Sequence, residues 1–267
     1  MVVVPVMVTD RQDRPITGLD RAAFHIFEDR LEQEIAYFSS EDAPLSVGIV
    51  FDCSASMRDN LGRAREAVTR FIDAANPADE FFLVAFSSHA DLVVPFTSAS
   101  EKIRDGLNVT QSKGETALLD AIYMALHYMK QARNGRRVLL VVSDGGDNHS
   151  RFSRRELGNI LREADVWIYA IGIYNHGVPS ASEEEIGGPT LLTQLAEQTG
   201  GRELAADSPR DLPKIAATIG RELRNEYVLG YSPTNHARDG KYHRIKVTLR
   251  RRGAHLLWRP GYFAPAF

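Results

Sequence analysis

A buried strand that ends on an acidic residue is the feature that most limits how this chain can fold. The run Val47 to Phe51 has the length of a β-strand and is apolar on both faces, as in parallel sheets covered by helices. Asp52 follows it, then Ser54 and Ser56, and a helical pattern begins after them. Because open α/β sheets bind ligands at the carboxyl ends of their strands, these side chains are candidates for a binding site. Their carboxylate and hydroxyl oxygens suit a hard divalent cation.

Two later loops carry oxygen ligands as well. On its own, the Asp-x-Ser-x-Ser spacing is a weak signal, because Asp and Ser are also favoured at helix N-termini. Thr116, however, lies at a predicted junction between a loop and a helix, within Lys113 to Asp120. A second apolar strand, Val138 to Val142, is followed by Ser143 and then by Asp144. Three oxygen-bearing loops in this order favour a metal site over a helix cap.

These motifs resemble the von Willebrand factor A (integrin I-like) domains, which carry a metal-ion-dependent adhesion site. The family pattern is Asp-x-Ser-x-Ser, a distant Thr, and then Thr/Ser-Asp-Gly. The matching positions are Asp52, Ser54, Ser56, Thr116 and Asp144. The resemblance covers about Leu45 to Asn225. It implies that the hydroxyls bind Mg²⁺ (or Mn²⁺ or Ca²⁺), and that the aspartates bind the ion directly or through water.

The flanking segments resemble bacterial proteins related to this family that are common in acidobacteria. The residues that carry this looser resemblance lie in Asp10 to Phe38, Tyr227 to Pro233 and Arg259 to Tyr262. It implies a bacterial protein of the periplasm or the cell exterior. Val2 to Val8 is too short for the core of a signal peptide, so we expect an export signal to have been trimmed from this sequence.

Composition is that of an ordinary globular protein. The chain has 267 residues, 43% of them hydrophobic and 25% charged, and a net charge of -3. This balance gives no case for nucleic acid or an anionic membrane as a partner. No segment approaches the length of a membrane span. Cys53 is the single cysteine, so no intrachain disulfide can form, and we expect a buried thiol behind the site.

Strands and helices alternate in the middle of the chain, whereas both ends contain strands only. The predicted fold class is therefore α/β, a Rossmann-like, mostly parallel central sheet wrapped by helices. The strands at either end are too few for a stable sheet alone, so we expect them to form one small β-sandwich together. The expected division is 1–42 for the N-terminal strands of the sandwich, 43–225 for the A domain and 226–267 for the C-terminal strands.

Several individual elements are predicted as well. Short strands at Phe24 to Glu28 and Gln33 to Ser39 flank a polar turn, and Asp91 to Phe96 is an antiparallel edge strand. Leu191 to Thr199 is a helix. Tyr174 to Pro189 is a long loop at the same edge as the metal site. Its glutamates Glu183, Glu184 and Glu185 either reach the ion or belong to a mobile acidic loop.

The charge of the predicted site indicates what it does. Asp52 and Asp144 balance a divalent ion, and no third strong anion closes its shell. A coordination position is therefore left for water or for an incoming carboxylate. Asp59 and Asp147 are either outer neighbours of the ion or solvated loop acids. His149 is expected at the surface, because no Gly-x-Ser-x-Gly turn accompanies it.

Three functions fit these residues. The preferred one is a non-enzymatic, divalent-cation-dependent binding module for adhesion or assembly, whose partner is a protein or peptide that offers a carboxylate. The second is a Mg²⁺-dependent phosphohydrolase, against which Ser54 counts, since an aspartate is expected at that position. The third is a scaffold domain without metal dependence, against which the complete motif counts.

Overall fold

Strands and helices alternate in the centre of the molecule between two all-strand ends. The computed structural model describes residues 1–40, 42–174, 183–206, 208, 210–235, 239–251 and 253–265, with backbone alone at 183–186. The N-terminal strands are β1 (Val2–Thr9), β2 (Phe24–Glu28), β3 (Leu31–Gln33) and β4 (Ile35–Ser39). The central elements are β5 (Leu45–Asp52), α1 (Leu61–Asp73), β6 (Glu80–Phe86), β7 (Ala90–Thr97), α2 (Ser100–Val109), α3 (Leu118–Met129), β8 (Arg136–Ser143), α4 (Arg154–Glu163), β9 (Trp167–Ile173), α5 (Glu183–Glu197), β10 (Glu203–Ala206) and α6 (Leu212–Arg224). The C-terminal strands are β11 (Tyr227–Tyr231), β12 (Tyr242–Leu249), β13 (His255–Trp258) and β14 (Gly261–Phe263).

The central sheet has six strands in the order β10-β9-β8-β5-β6-β7. All neighbours are parallel except β6 and β7, which confirms the predicted antiparallel edge strand. Every residue of β5 is buried because helices cover both faces. In the register of β5 and β8, Phe51 lies opposite Val142, so the two strands end side by side and place Asp52 next to Ser143 and Asp144.

Helices cover both faces of this sheet. On one face, α1, α2 and α6 pack against side chains such as Ile49 and Phe51. On the other, α3, α4 and α5 pack against side chains such as Val50. The alternation follows from the strand geometry, in which successive side chains point to opposite faces. The predicted α/β class is confirmed. Among the described helices, none is both long and apolar enough to cross a membrane.

The two ends of the chain form two four-stranded sheets, in the orders β13-β1-β11-β4 and β14-β12-β2-β3. Strand β1 pairs with β11 and β13, and β12 pairs with β2, all antiparallel. Each sheet therefore mixes N-terminal and C-terminal strands, which confirms the prediction of a shared β-sandwich. A common core fills it, with Val6, Ile26, Leu229 and Val247 among its buried side chains. We refer to these as the terminal sheets.

Two arginines brace the points where the chain passes between the terminal sheets and the central unit. Arg136 donates to the carbonyl of Ala43 at 3.0 Å and pairs with Glu226, its Nη2 lying 2.7 Å from Oε2. Arg224 Nη1 lies 3.3 Å from Oδ1 of Asp42. Because Glu226 is 5% exposed, its charge depends on Arg136 for compensation.

The structure corrects three predictions about individual elements. The segment Gln33 to Ser39 is two strands in different sheets, because the chain crosses from one sheet to the other at Glu34. Helix α2 was not predicted, since it buries little beyond Ile103 and Leu107. Helix α5 begins at Glu183, inside the segment predicted as a loop, while 175–182 lie outside the described residues.

Candidate metal centre

Backbone hydrogen bonds join the loop after β5 to the loop before α3. The amide of Lys113 donates to the carbonyl of Cys53 at 2.9 Å, and the amide of Ala55 donates to the carbonyl of Gly114 at 3.0 Å. These reciprocal contacts hold the Asp-x-Ser-x-Ser segment against the segment that carries Thr116. The two loops therefore form one surface at the carboxyl edge of the sheet.

The loop after β8 is joined to the same surface through Thr116. The amides of Asn148 and His149 both donate to the Thr116 carbonyl at 3.0 Å. The Thr116 amide donates in return to Oδ1 of Asn148 at 2.9 Å. Thr116 is 6% exposed. These main-chain hydrogen bonds hold it beside the loop that carries Asp144.

Asp52 is the most buried acid of this edge, with no exposed surface. Its Oδ1 accepts the Ser54 amide at 2.8 Å, and its Oδ2 accepts the Ser143 hydroxyl at 2.5 Å. Burial, together with the neighbouring Asp144 carboxylate, raises the pKa of Asp52 from 3.8 to about 7. A buried carboxylate with a second carboxylate beside it is the arrangement that a divalent cation stabilises.

The serines of the first motif do not cap a helix. Ser54 precedes a short 3₁₀ turn, Ala55–Met57, and Ser56 lies within it; their Oγ atoms lie 3.0 Å apart. Ser54 makes no capping hydrogen bond, and the residue at the N-cap of α1 is Asn60. The alternative interpretation of the motif as a helix cap is therefore wrong. The paired hydroxyls supply neutral oxygen donors beside the Asp52 carboxylate.

Asp144 sits on a loop that needs glycine. Gly145 has φ of 82°, and a Cβ built there would lie 2.4 Å from the Gly188 carbonyl oxygen. A Cβ on Gly188 would in turn lie 2.3 Å from the Asp144 carbonyl oxygen. Helix α5 therefore packs its backbone directly on the loop of a candidate ligand, and this approach is open only to residues without a side chain.

The remaining acids and the histidine of these loops have structural partners. Oδ1 of Asp147 accepts the Leu119 amide at 3.2 Å and the Ser150 hydroxyl at 2.5 Å, so this residue caps the start of α3. His149 is about half exposed, and its Nδ1 lies 2.6 Å from a Glu115 carboxylate oxygen, which agrees with the expected surface position.

Sequence reasoning gave no role to Ser143. Its hydroxyl donates to Asp52 and accepts the Gly145 amide at 2.9 Å, so it links the two acidic loops. The signal that could have identified it is its place at the end of β8, directly before Asp144. Asp59 is exposed. The side chains of Glu183 to Glu185 lie outside the described part of the chain.

The residues at this edge fit a hard divalent cation. Asp52, Ser54, Thr116 and Asp144 are buried and Ser56 is half-buried, and every side-chain donor among them is an oxygen. Carboxylate and hydroxyl oxygens without a nitrogen or sulfur donor are the set that favours Mg²⁺, Ca²⁺ or Mn²⁺.

Comparison with known proteins agrees with this geometry. A family model described as von Willebrand factor type A domain matches residues 47–146. An uncharacterized protein of Borreliella burgdorferi is 28% identical over 181 residues, which cover 60% of this chain and 53% of that protein. The inter-alpha-trypsin inhibitor heavy chain H4 of Homo sapiens is 27% identical over 192 residues, covering 65% of this chain and 20% of that protein. The chain thus spans about half the length of the first of these relatives and a fifth of the second.

Solved structures share the fold at lower identity. A von Willebrand factor type A protein from Catenulispora acidiphila superimposes with a TM-score of 0.57 at 14% identity, covering 98% of this chain and 72% of that chain. The vWF domain of the type V pili tip protein Mfa5 from Porphyromonas gingivalis gives a TM-score of 0.55 at 12% identity, covering 67% of this chain and 95% of that chain. Residues 47–146 of the chain thus match the von Willebrand factor type A domain model, and they lie on a central α/β sheet of the same fold.

Proposed function

We propose that this protein is a non-enzymatic binding module that captures a protein or peptide partner through a divalent cation at the carboxyl edge of the central sheet. The ion is Mg²⁺ (or Mn²⁺ or Ca²⁺), and its proposed ligands are Asp52, Ser54, Ser56, Thr116 and Asp144. The fold is one that serves adhesion and assembly, and one neighbour of the same fold comes from a pilus tip protein.

The observation that carries the proposal is the pair of buried acids with hydroxyls around them. Asp52 and Asp144 offer two negative charges to a divalent ion, and Ser54, Ser56 and Thr116 offer neutral oxygens. A cation bound by two carboxylates retains Lewis acidity toward a further anionic oxygen. A carboxylate of the partner is the group that we expect to complete its shell.

Calorimetric titration with Mg²⁺ and with Mn²⁺ tests the ion. Asp52→Ala should abolish binding, because it removes the central carboxylate of the site. Asp59→Ala is the matched control, since it removes an exposed acid of the same loop and should bind like the wild type. Equal affinity of the wild type and Asp52→Ala would remove the basis of the assignment.

The partner is tested with and without the metal. Binding to a component of the native cell envelope should be lost in EDTA and in Thr116→Ala, while circular dichroism shows an intact fold. A partner that binds equally well without metal would instead support a scaffold role. Hydrolysis of a generic phosphate ester that disappears in Asp52→Asn would support the phosphohydrolase.

We place the protein outside the cytoplasm, in the periplasm or at the cell exterior. The support is the resemblance to pilus and membrane-associated proteins of the same fold. Fractionation of the native cells with an antibody against the chain tests this, and recovery in the cytoplasmic fraction alone would contradict it.

A further inference from the structure

A second group of metal-binding side chains lies in the terminal sheets, far along the chain from the residues of the central edge. Glu28 ends β2, Asp29 opens the turn to β3, and His243 lies on β12, the strand that pairs with β2. One ligand atom of each of the three residues lies within 4.8 Å of the other two. Glu28 and His243 are 3% and 5% exposed, so the group is set into the sandwich with Asp29 at its rim.

One carboxylate oxygen of each acid lies close to the same ring nitrogen of His243. Nδ1 of His243 lies 2.8 Å from Oδ2 of Asp29 and 3.6 Å from Oε1 of Glu28. Ligands about 2.1 Å from a tetrahedral Zn²⁺ are about 3.4 Å from each other. The Glu28 distance is within about 0.2 Å of this value, and the exposed Asp29 carboxylate reaches it by moving about 0.6 Å.

The other oxygen of Glu28 is held by two hydroxyl groups. Tyr231 and Tyr262 donate to Oε2 at 2.6 Å and 3.0 Å. These bonds occupy Oε2 and leave Oε1 as the oxygen that faces His243.

Asp29 and His243 are oriented in the same way from outside the group. The amide of Arg244 donates to Oδ1 of Asp29 at 2.9 Å, which leaves Oδ2 for the imidazole. Nε2 of His243 lies 3.5 Å from Oδ1 of Asp239, so a second carboxylate lies on the far side of the ring from Asp29. In metal sites, a ligating histidine ordinarily donates its second ring nitrogen to such a carboxylate. Glu28, Asp29 and His243 each therefore have one polar atom near a neighbouring residue outside the group and one polar atom that faces the other two.

The backbone at Asp29 is held in an uncommon conformation. Asp29 and Arg30 have φ of 46° and 78°, the left-handed values of a two-residue type I′ turn that glycine and asparagine usually occupy. Aspartate tolerates this region, whereas arginine adopts it at an energetic cost. The turn places the Asp29 carboxylate against β12, directly over His243.

We propose that Glu28, Asp29 and His243 bind a divalent transition-metal ion of the Zn²⁺ type, through Oε1, Oδ2 and Nδ1. One nitrogen and two carboxylate oxygens form a ligand set typical of Zn²⁺, unlike the all-oxygen set of the central edge. The ion lies between the imidazole and the two carboxylates. It joins strands that are 214 residues apart in the chain and so closes the terminal sheets.

Zn²⁺ titration of the full chain after treatment with a chelator tests this second site. The Asp52→Ala variant serves as the background, because it removes the proposed ion of the central edge and keeps the two proposals separable. We expect about one Zn²⁺ per chain in that background, and a Co²⁺-substituted form with ligand-field absorption bands. Absence of Zn²⁺ binding in this background would overturn the proposal.

Three substitutions in the same background identify the ligands. His243→Ala should weaken Zn²⁺ binding by about 100-fold and remove the Co²⁺ bands, and Asp29→Asn, at the exposed rim, should weaken it by about tenfold or more. His25→Ala is the matched control, because His25 pairs with Glu32 at 2.6 Å in the same sheet but faces a single carboxylate. Unchanged Zn²⁺ affinity in both His243→Ala and Asp29→Asn would show a protonated imidazole held by ion pairs, and would sink the metal site.

Discussion

The central sheet and the terminal sheets differ in how far apart along the chain their contacting residues lie. In the central sheet, β5 pairs with β6, and Ser46 reaches Glu80 only 34 residues away. In the terminal sheets, Tyr231 donates to Glu28, 203 residues away. Strands β1, β2 and β4 each pair with a C-terminal strand, and β3 pairs with β2. Contacts between distant parts of a chain carry a larger entropic cost of closure. The central unit is therefore complete within its own segment, and the terminal sheets are complete only when both ends are present.

The same difference separates the two groups of acidic side chains. The proposed metal ligands at the carboxyl edge of the central sheet, which we call the metal edge, sit on loops of a finished sheet, so an ion there would complete a surface. The group of Glu28, Asp29 and His243 joins strands from the two ends of the chain, so an ion there would complete a fold. Four expected outcomes test this comparison, from the largest effect to the smallest.

Deletion of residues 1–40 should separate the two regions. It removes β1 to β4 and leaves β11 to β14 without partners for most of their backbone groups. The free energy that protects amides of β11 and β12 from hydrogen exchange should fall from the global value, about 5–15 kcal/mol, to near zero. Amides of β8 provide the internal control and should stay protected. Unchanged exchange in β11 and β12 would end the idea that they share a sandwich with the N-terminal strands.

Without a bound ion, the free energy of unfolding should fall as the pH rises, because Asp52 is buried at the metal edge. The pKa of Asp52 is raised from 3.8 to about 7, so the folded state binds the proton more tightly than the unfolded state. Stability is therefore fullest below pH 4 for this group and is lost as the pH rises through 7. In EDTA, the free energy of unfolding should fall by on the order of 3 kcal/mol between pH 5 and pH 8. Denaturant titrations at the two pH values measure it, and Mg²⁺ should reduce the difference.

The matched variant for this pH effect is Asp52→Asn. Burial also raises the pKa of Glu222 and Glu226, so part of the dependence belongs to those groups. Only the share that Asp52→Asn removes is assigned to the metal edge. A pH dependence that is identical in wild type and Asp52→Asn would show that ionisation of Asp52 does not lower the free energy of unfolding.

Gly188→Ala should weaken metal binding at the central edge without unfolding the protein. The new Cβ would lie 2.3 Å from the Asp144 carbonyl oxygen, so the loop of this ligand must move. An overpacked contact of this kind costs about 1–3 kcal/mol, which corresponds to about a tenfold or greater loss of Mg²⁺ affinity. Gly187→Ala is the control, since no atom of the described residues lies within 4 Å of its added Cβ. Equal Mg²⁺ affinities of the two variants in calorimetry would contradict the role of this contact.

Glu115→Gln should have the smallest effect. Glu115 precedes Thr116 and pairs with His149, but both side chains are about half exposed. Exposed pairs contribute about 0–1 kcal/mol, so the melting temperature and the Mg²⁺ affinity should remain close to the wild-type values. A tenfold change in affinity would indicate that this outer pair belongs to the site after all.

The predictions that the structure confirmed rest on local patterns of apolar and polar residues. The apolar strands that end on Asp52 and before Asp144 have signals confined to about ten residues, and the α/β sheet follows from them. Helix α2 was missed because its apolar face is short, with Ile103 and Leu107 as its large buried side chains. Whether Asp52, Ser54, Ser56, Thr116 and Asp144 bind an ion stays a prediction.

The shared sandwich of the two chain ends was predicted, but the particular pairings between distant residues were not. The crossing of the chain at Glu34 divides one apparent strand between two sheets, and nothing in the alternation from Gln33 to Ser39 marks it. Glu28, Asp29 and His243 have no common motif, and only the pairing of β2 with β12 brings them together. Such groups become visible once the register is known.

The position of the central unit between β4 and β11 has a mechanical consequence. These strands are antiparallel, and Ser39 at the end of β4 lies opposite Val228 near the start of β11. If the proposed partner binds at the metal edge, a load on it would reach the terminal sheets at this one end of the pair. It acts there by peeling, in which hydrogen bonds break one after another, and not by shear, in which they resist together. Arg136 and Arg224 clamp the place where such a tear begins.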